Sequence, residues 1–155
     1  MLHSVLCALA LAIGFQGSVP PAALLNSDCL NAVEKRRLSE EEKVDGRVKI
    51  YRSISERIHV SIESAVTKQK FDGVPALIRC WKELLTVSLK DIDANINHNK
   101  KSGALIDYEI QVRKSIVDMV DAQLRAPYSQ QSDFEAWIAQ AKATHGRFVD
   151  ILFQR

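Results

Sequence analysis

Glu56-Arg57-Ile58-His59 carries the Glu-x-x-His spacing with which some helical bundles hold a pair of iron ions. That chemistry needs the motif twice, with inward carboxylates from all four helices. Here it occurs once, and Glu56 and His59 lie away from the helix stripe centred on Ile58. We therefore read them as part of a solvated face and expect no metal. Covalent haem would need Cys-x-x-Cys-His and structural zinc a cysteine cluster; the sequence has neither. Met119 and His145 both fall on inward stripes, the bare minimum for an axial haem pair, and nothing else supports one. No cofactor is expected. No Gly-rich phosphate loop and no Ser/His/Asp arrangement is legible either, so no catalytic residue is assigned.

What remains is a layer of polar residues at inward positions. The midpoints of antiparallel helices coincide, and Ser55, Ser88, Arg113 and Thr144-His145 fall near those midpoints. Glu109 precedes Arg113 by one turn, the spacing of an i,i+4 ion pair. Tyr51 and Tyr108 occupy inward stripes as well. As a ligand site, Arg113, His145 and Glu109 would line a pocket for a small anion, with the guanidinium supplying a two-pronged hold. As structure, the same residues would form a hydrogen-bonded layer that fixes helix register. The structural reading is favoured.

Four helices must position these groups. Ser39-Glu40-Glu41-Glu42 has the capping-box pattern, and Val44, Val48, Tyr51, Ser55, Ile58, Ile62 and Ala65 then recur at spacings of three and four. This predicts a first helix over 39–70. Pro75 in a first turn opens a second over 74–97, with Val74, Ile78, Trp81, Leu85, Ser88 and Ile92 on its stripe. Leu105, Tyr108, Val112, Ile116, Met119 and Val120 mark a third over 103–125, ended by Ala126-Pro127. Ser132-Asp133-Phe134-Glu135, a second capping-box pattern, starts the fourth over 133–154. Short loops make consecutive helices antiparallel neighbours, so the expected fold is all-α: an up-down-up-down antiparallel four-helix bundle.

The third helix is apolar over too wide an arc. Ile106, Ile110, Val117 and Leu124 form a second stripe on its flank. Either the N-terminal segment 24–38, which could hold a short helix and carries Leu24, Leu25, Leu30 and Val33, covers that stripe, or the stripe is exposed to bind a protein partner or a second copy. Coverage by the segment is the plainer expectation.

Residues 5–15 are uncharged and apolar, and a Gly/Ser/Pro/Ala stretch follows at 17–23. This resembles a secretory leader over 1–23 and is too short to span a bilayer, which takes about 20 apolar residues. A membrane association is expected only if the leader stays uncleaved. The protein is expected to be exported, periplasmic or secreted. About 132 of the 155 residues remain after cleavage, enough for one domain. They carry 21 Lys+Arg and 19 Asp+Glu with the signs interspersed, so nucleic acid is not an expected partner.

Cys29 and Cys80 are the cysteines left after the leader, and an oxidising compartment favours pairing them. Geometry opposes this. Cys80 lies level with about residue 65 of a helix starting at Ser39, about 39 Å above that start. Ten extended residues reach only about 33 Å. A first helix starting near Gly46 would reconcile the two. The sequence thus describes an exported helical bundle, most simply a non-enzymatic binding module. The alternative is a small all-α exported enzyme or a ligand-sensing bundle using the polar layer as its pocket.

Overall fold

The computed structural model describes residues 21–26 and 28–153, so the stretch 1–23 expected to be a leader lies outside the described residues apart from its last three positions. Those residues form α1 (Pro21–Leu24), α2 (Ala32–Glu40), α3 (Val44–Thr67), α4 (Val74–Asn95), α5 (Gly103–Arg125) and α6 (Tyr128–Phe153). The described residues are all-helical, and these six helices pack on one another. Among the described residues, no helix is long and apolar enough to cross a membrane.

The first long helix starts at Val44 rather than Ser39, and a short helix, α2, precedes it. The capping box that operates here is Asn31/Glu34: the Asn31 side chain accepts from the Glu34 amide, and the Glu34 carboxylate accepts from the Asn31 amide, both at 2.9 Å. Ser39 sits in the last turn of α2 and donates to the Arg36 carbonyl, so it caps no helix start. The chain turns at 41–43, where the Glu41 carboxylate accepts from the Lys43 amide. Arg47 secures the turn by donating to the Glu41 and Glu42 carbonyls. The short helix docks through Leu38, which is fully buried, and through Arg57, whose guanidinium grips the Glu34 carboxylate at 2.7 and 3.0 Å.

This hairpin removes the objection to the disulfide. The Arg57 guanidinium also donates to the Cys29 carbonyl, so Cys29 lies level with Arg57, high on α3. Trp81 bonds to Ser55 at the same height. Cys29 and Cys80 are joined, with Cα atoms 5.2 Å apart. A long helix from Ser39 would have held these atoms apart; the break at 41–43 brings them together.

The fourth helix also begins earlier than predicted, at Tyr128 rather than 133. Ala126 is extended, as a residue before proline prefers, and Pro127 then leads directly into α6. The Ser132 pattern falls inside the helix. Beyond the Lys68 cap, Gln69 adopts positive φ (54°) and Lys70 N–H reaches back to the Ala65 carbonyl, the geometry in which glycine is usual.

α3 packs on α4 and α5, and α6 packs on α4 and α5. The long helices therefore close a ring in the order α3, α4, α6, α5. Consecutive helices were expected to be neighbours, but α4 and α5 share no packed face. The diagonal of a bundle with about 10 Å between axes is only about 14 Å, and the seven-residue connection at 96–102 spans that readily. Trp81, Trp137, Tyr51, Tyr108, Phe134 and Phe148 fill the centre, the two indoles 4.1 Å apart. Burying an aromatic of this size contributes about 2–3 kcal/mol each.

Candidate functional site

The midpoint polar residues do not converge on one place. Ser88 and Tyr108 are fully buried and bond to each other at 3.1 Å. Tyr51 donates to Asp91 at 2.8 Å. Ser55 accepts from the Trp81 indole at 2.7 Å and donates to the Gln111 amide oxygen at 2.9 Å. His145 and Arg113 both meet one oxygen of Glu109, at 2.7 and 3.3 Å, but the Arg113 side chain is 60 % exposed and points along the surface. Each small group satisfies its own polar atoms. His145 Nε2, which a haem pairing with Met119 would need, is held by Glu109.

Two clusters were not anticipated from sequence. Arg47 meets Asp91 through paired bonds of 2.7 and 2.8 Å in a buried site that Tyr51 and Asn95 complete. The Asp91 bond holds the Arg47 guanidinium above its ordinary pKa against the cost of burial. Burial, then the Asp91 bond, pushes the Tyr51 hydroxyl far up, and burial does the same to Tyr108. The available signal was Arg47 one turn before Tyr51, and an aspartate directly beside the inward-stripe residue Ile92.

The second cluster surrounds His59, assigned above to a solvated face. Its side chain is only 13 % exposed and its ring lies 5.4 Å from Trp81. The helix spacing was right, but α5 leans over that flank of α3 and covers it. A run of hydrogen bonds with one direction ends there. The indole of Trp81 can only donate, so Ser55 must donate onward to Gln111 Oε1, which leaves Gln111 Nε2 to donate to Ser115 at 3.0 Å. Ser115 spends its one hydrogen on the Gln111 carbonyl at 2.9 Å. With its hydrogen there, it accepts from His59 Nδ1 at 3.3 Å; with its hydrogen turned to Nδ1, the ring proton of neutral His59 lies on Nε2.

No family model, curated protein or solved structure matches this chain.

The α5 flank thus stands on its geometry. The N-terminal segment, expected to cover it, packs on α3 and α4 instead. Leu25 and Leu30 are buried there, whereas Leu24 and Val33 remain exposed. Consequently Val117 is 68 % and Leu124 77 % exposed, with Ile106 and Ile110 half-buried at the same flank. Val120, expected on the inward stripe, is 42 % exposed and joins them. Read in order, 106, 110, 113, 117, 120 and 124 are four, three, four, three and four residues apart. That is the a/d spacing of a coiled-coil seam, interrupted only by Arg113. It was legible in the sequence but concealed by assigning Val120 to the core.

Proposed function

We propose that the protein is an exported, non-enzymatic interaction module that works by helix-on-helix association through the outer face of α5. The observation that carries this reading is the seam itself, an apolar strip at a/d spacing on the solvent side of a helix whose other side fills the core. Scattered exposed apolar side chains are ordinary on a monomer; a straight row of them at heptad spacing is not.

The occupant we assign is α5 of a second copy, running antiparallel about a twofold axis at Val117. Ile110 and Leu124 are equally distant from Val117 along the chain, so each meets the other across the axis. Arg113 and Asp121 are likewise equidistant, and they carry opposite charges. An isologous contact needs this kind of self-complementarity.

Further elements of the reading rest on the sequence and on contact directions. The leader over 1–23 supports export. An up-down-up-down bundle is supported by contacts that rise together between α3 and α5 (Arg52 with Asp107, Ser55 with Gln111) and run oppositely between α3 and α4 (Arg47 with Asp91, Ser55 with Trp81). A ligand pocket at Arg113, Glu109 and His145 is less favoured, because the arginine faces solvent.

Native mass spectrometry and light scattering on the mature protein, at concentrations on the order of 100 µM, test the association. A dimer is expected. Val117→Lys, which sets two ammonium groups together at the axis, is expected to give a monomer with unchanged helicity. Arg113→Asp should weaken the dimer, and adding Asp121→Arg should restore it. A wild-type monomer under these conditions, or a dimer indifferent to Val117→Lys, overturns the proposal.

A further inference from the structure

His59 Nε2 is buried and has no hydrogen-bond partner. It faces two carboxylates: Glu63 Oε1 at 3.5 Å, one turn further along α3, and Asp118 Oδ2 at 3.4 Å, from α5. In the tautomer whose ring proton sits on Nδ1 and is accepted by Ser115, the nitrogen that faces the carboxylates carries a lone pair. Three electron-rich atoms then point into one space, all within 4.8 Å of one another. Arg52 and Lys114 line the same groove, and Arg52 is paired with Asp107.

We propose that His59 Nε2, Glu63 and Asp118 form a binding site for a divalent transition-metal ion of the zinc type. The distances fit. A tetrahedral ion with bonds of about 2.1 Å holds its ligand atoms about 3.4 Å apart. The two edges from His59, 3.4 and 3.5 Å, match that, and the two carboxylate oxygens lie within 4.8 Å of each other. One imidazole with two carboxylates suits zinc, whereas magnesium and calcium favour all-oxygen sets. The outer support is also present: a metal-bound imidazole ordinarily donates its other N–H to a fixed acceptor, and Ser115 is that acceptor. The site opens into a surface groove of about 350 Å³, leaving the fourth position to water. The groove lies between α3 and α5, so the ion would tie these two helices together. It rests on different residues from the α5 self-association, although Ile110 of that seam borders the groove.

Trp81 provides the readout, because its ring is 5.4 Å from His59 and the chain has only one other tryptophan. Titrating the full-length mature protein with zinc by calorimetry, and with cobalt(II) by absorption and tryptophan emission, is the test. One ion per chain is expected, with quenching of emission by cobalt that zinc reverses. Asp118→Asn and Glu63→Gln, which keep side-chain shape, should each weaken zinc binding on the order of tenfold or more. Ser115→Ala should weaken it roughly 10- to 100-fold by loosening the ring. His98→Gln, an exposed histidine elsewhere, should change nothing. If wild-type binds no zinc at micromolar levels, or if Asp118→Asn and Glu63→Gln bind as tightly as wild-type, the inference is overturned. The cluster is then an ion-pair network around a protonated histidine.

Discussion

Removing the Cys29–Cys80 bridge tests the hairpin that makes it possible. The bond closes a loop of sequence separation 51. In the chain-entropy account such a loop lowers the unfolded state's freedom by an amount worth about 4 kcal/mol at 25 °C. A domain of about 130 residues unfolds with an entropy near 0.27 kcal/mol per kelvin, so the Tm should fall by roughly 15 °C. The Cys29→Ala/Cys80→Ala variant should still fold, because Leu30 and Leu38 stay buried and Arg57 still grips Glu34. Urea unfolding followed by circular dichroism, oxidised protein against the variant, reads the difference. Intact mass after alkylation without reductant reads the bond directly: no label is expected on the oxidised chain. Two labels would mean free thiols, and the placement of α2 alongside α3 would fall with the bond. Equal stability of the two proteins, with the bond present in wild-type, would refute the entropic reasoning while leaving the geometry intact.

Two other perturbations address the buried polar groups. Asp91→Ala strands the Arg47 guanidinium in a site where both side chains are nearly inaccessible, and should cost about 3–5 kcal/mol by urea unfolding. A cost below about 1 kcal/mol would show that Arg47 turns out to solvent. Alkaline pH should also destabilise the fold. Tyr51 and Tyr108 are held above their ordinary pKa, so the folded state keeps protons that the unfolded state loses above about pH 10. Stability should be fully present below that pH and fall with rising pH by up to about 2.7 kcal/mol per unit for the pair. Phenolate absorbance showing both hydroxyls titrating near 10 in the folded protein would contradict this.

Much of the architecture was readable because helix formation is local. The periodicity of Val74, Ile78, Trp81 and Leu85 marked α4, and the proline at 127 marked the end of α5. The failures came where two local signals competed. Ser39-x-x-Glu42 and Asn31-x-x-Glu34 both fit a capping box, and only the packing of Leu38 and the reach of Arg57 select the second. His59 failed for another reason. Its angular position on α3 was correct, but which neighbour leans over that flank depends on ring order, and no residue of α3 encodes the placement of α5.

The sequence by itself determined that the chain is helical, where two of the four long helices begin, and that one helix has more apolar face than a core requires. These follow from propensity, proline and period, which act within a few turns. Only the tertiary structure decided that Cys29 reaches Cys80, that His59 meets Glu63 and Asp118, and that the α5 seam stays uncovered. Those outcomes depend on which faces meet after the chain turns back on itself. The N-terminal segment had apolar residues enough to cover α5, and the turn at 41–43 with the bond at Cys80 carried it to the opposite side.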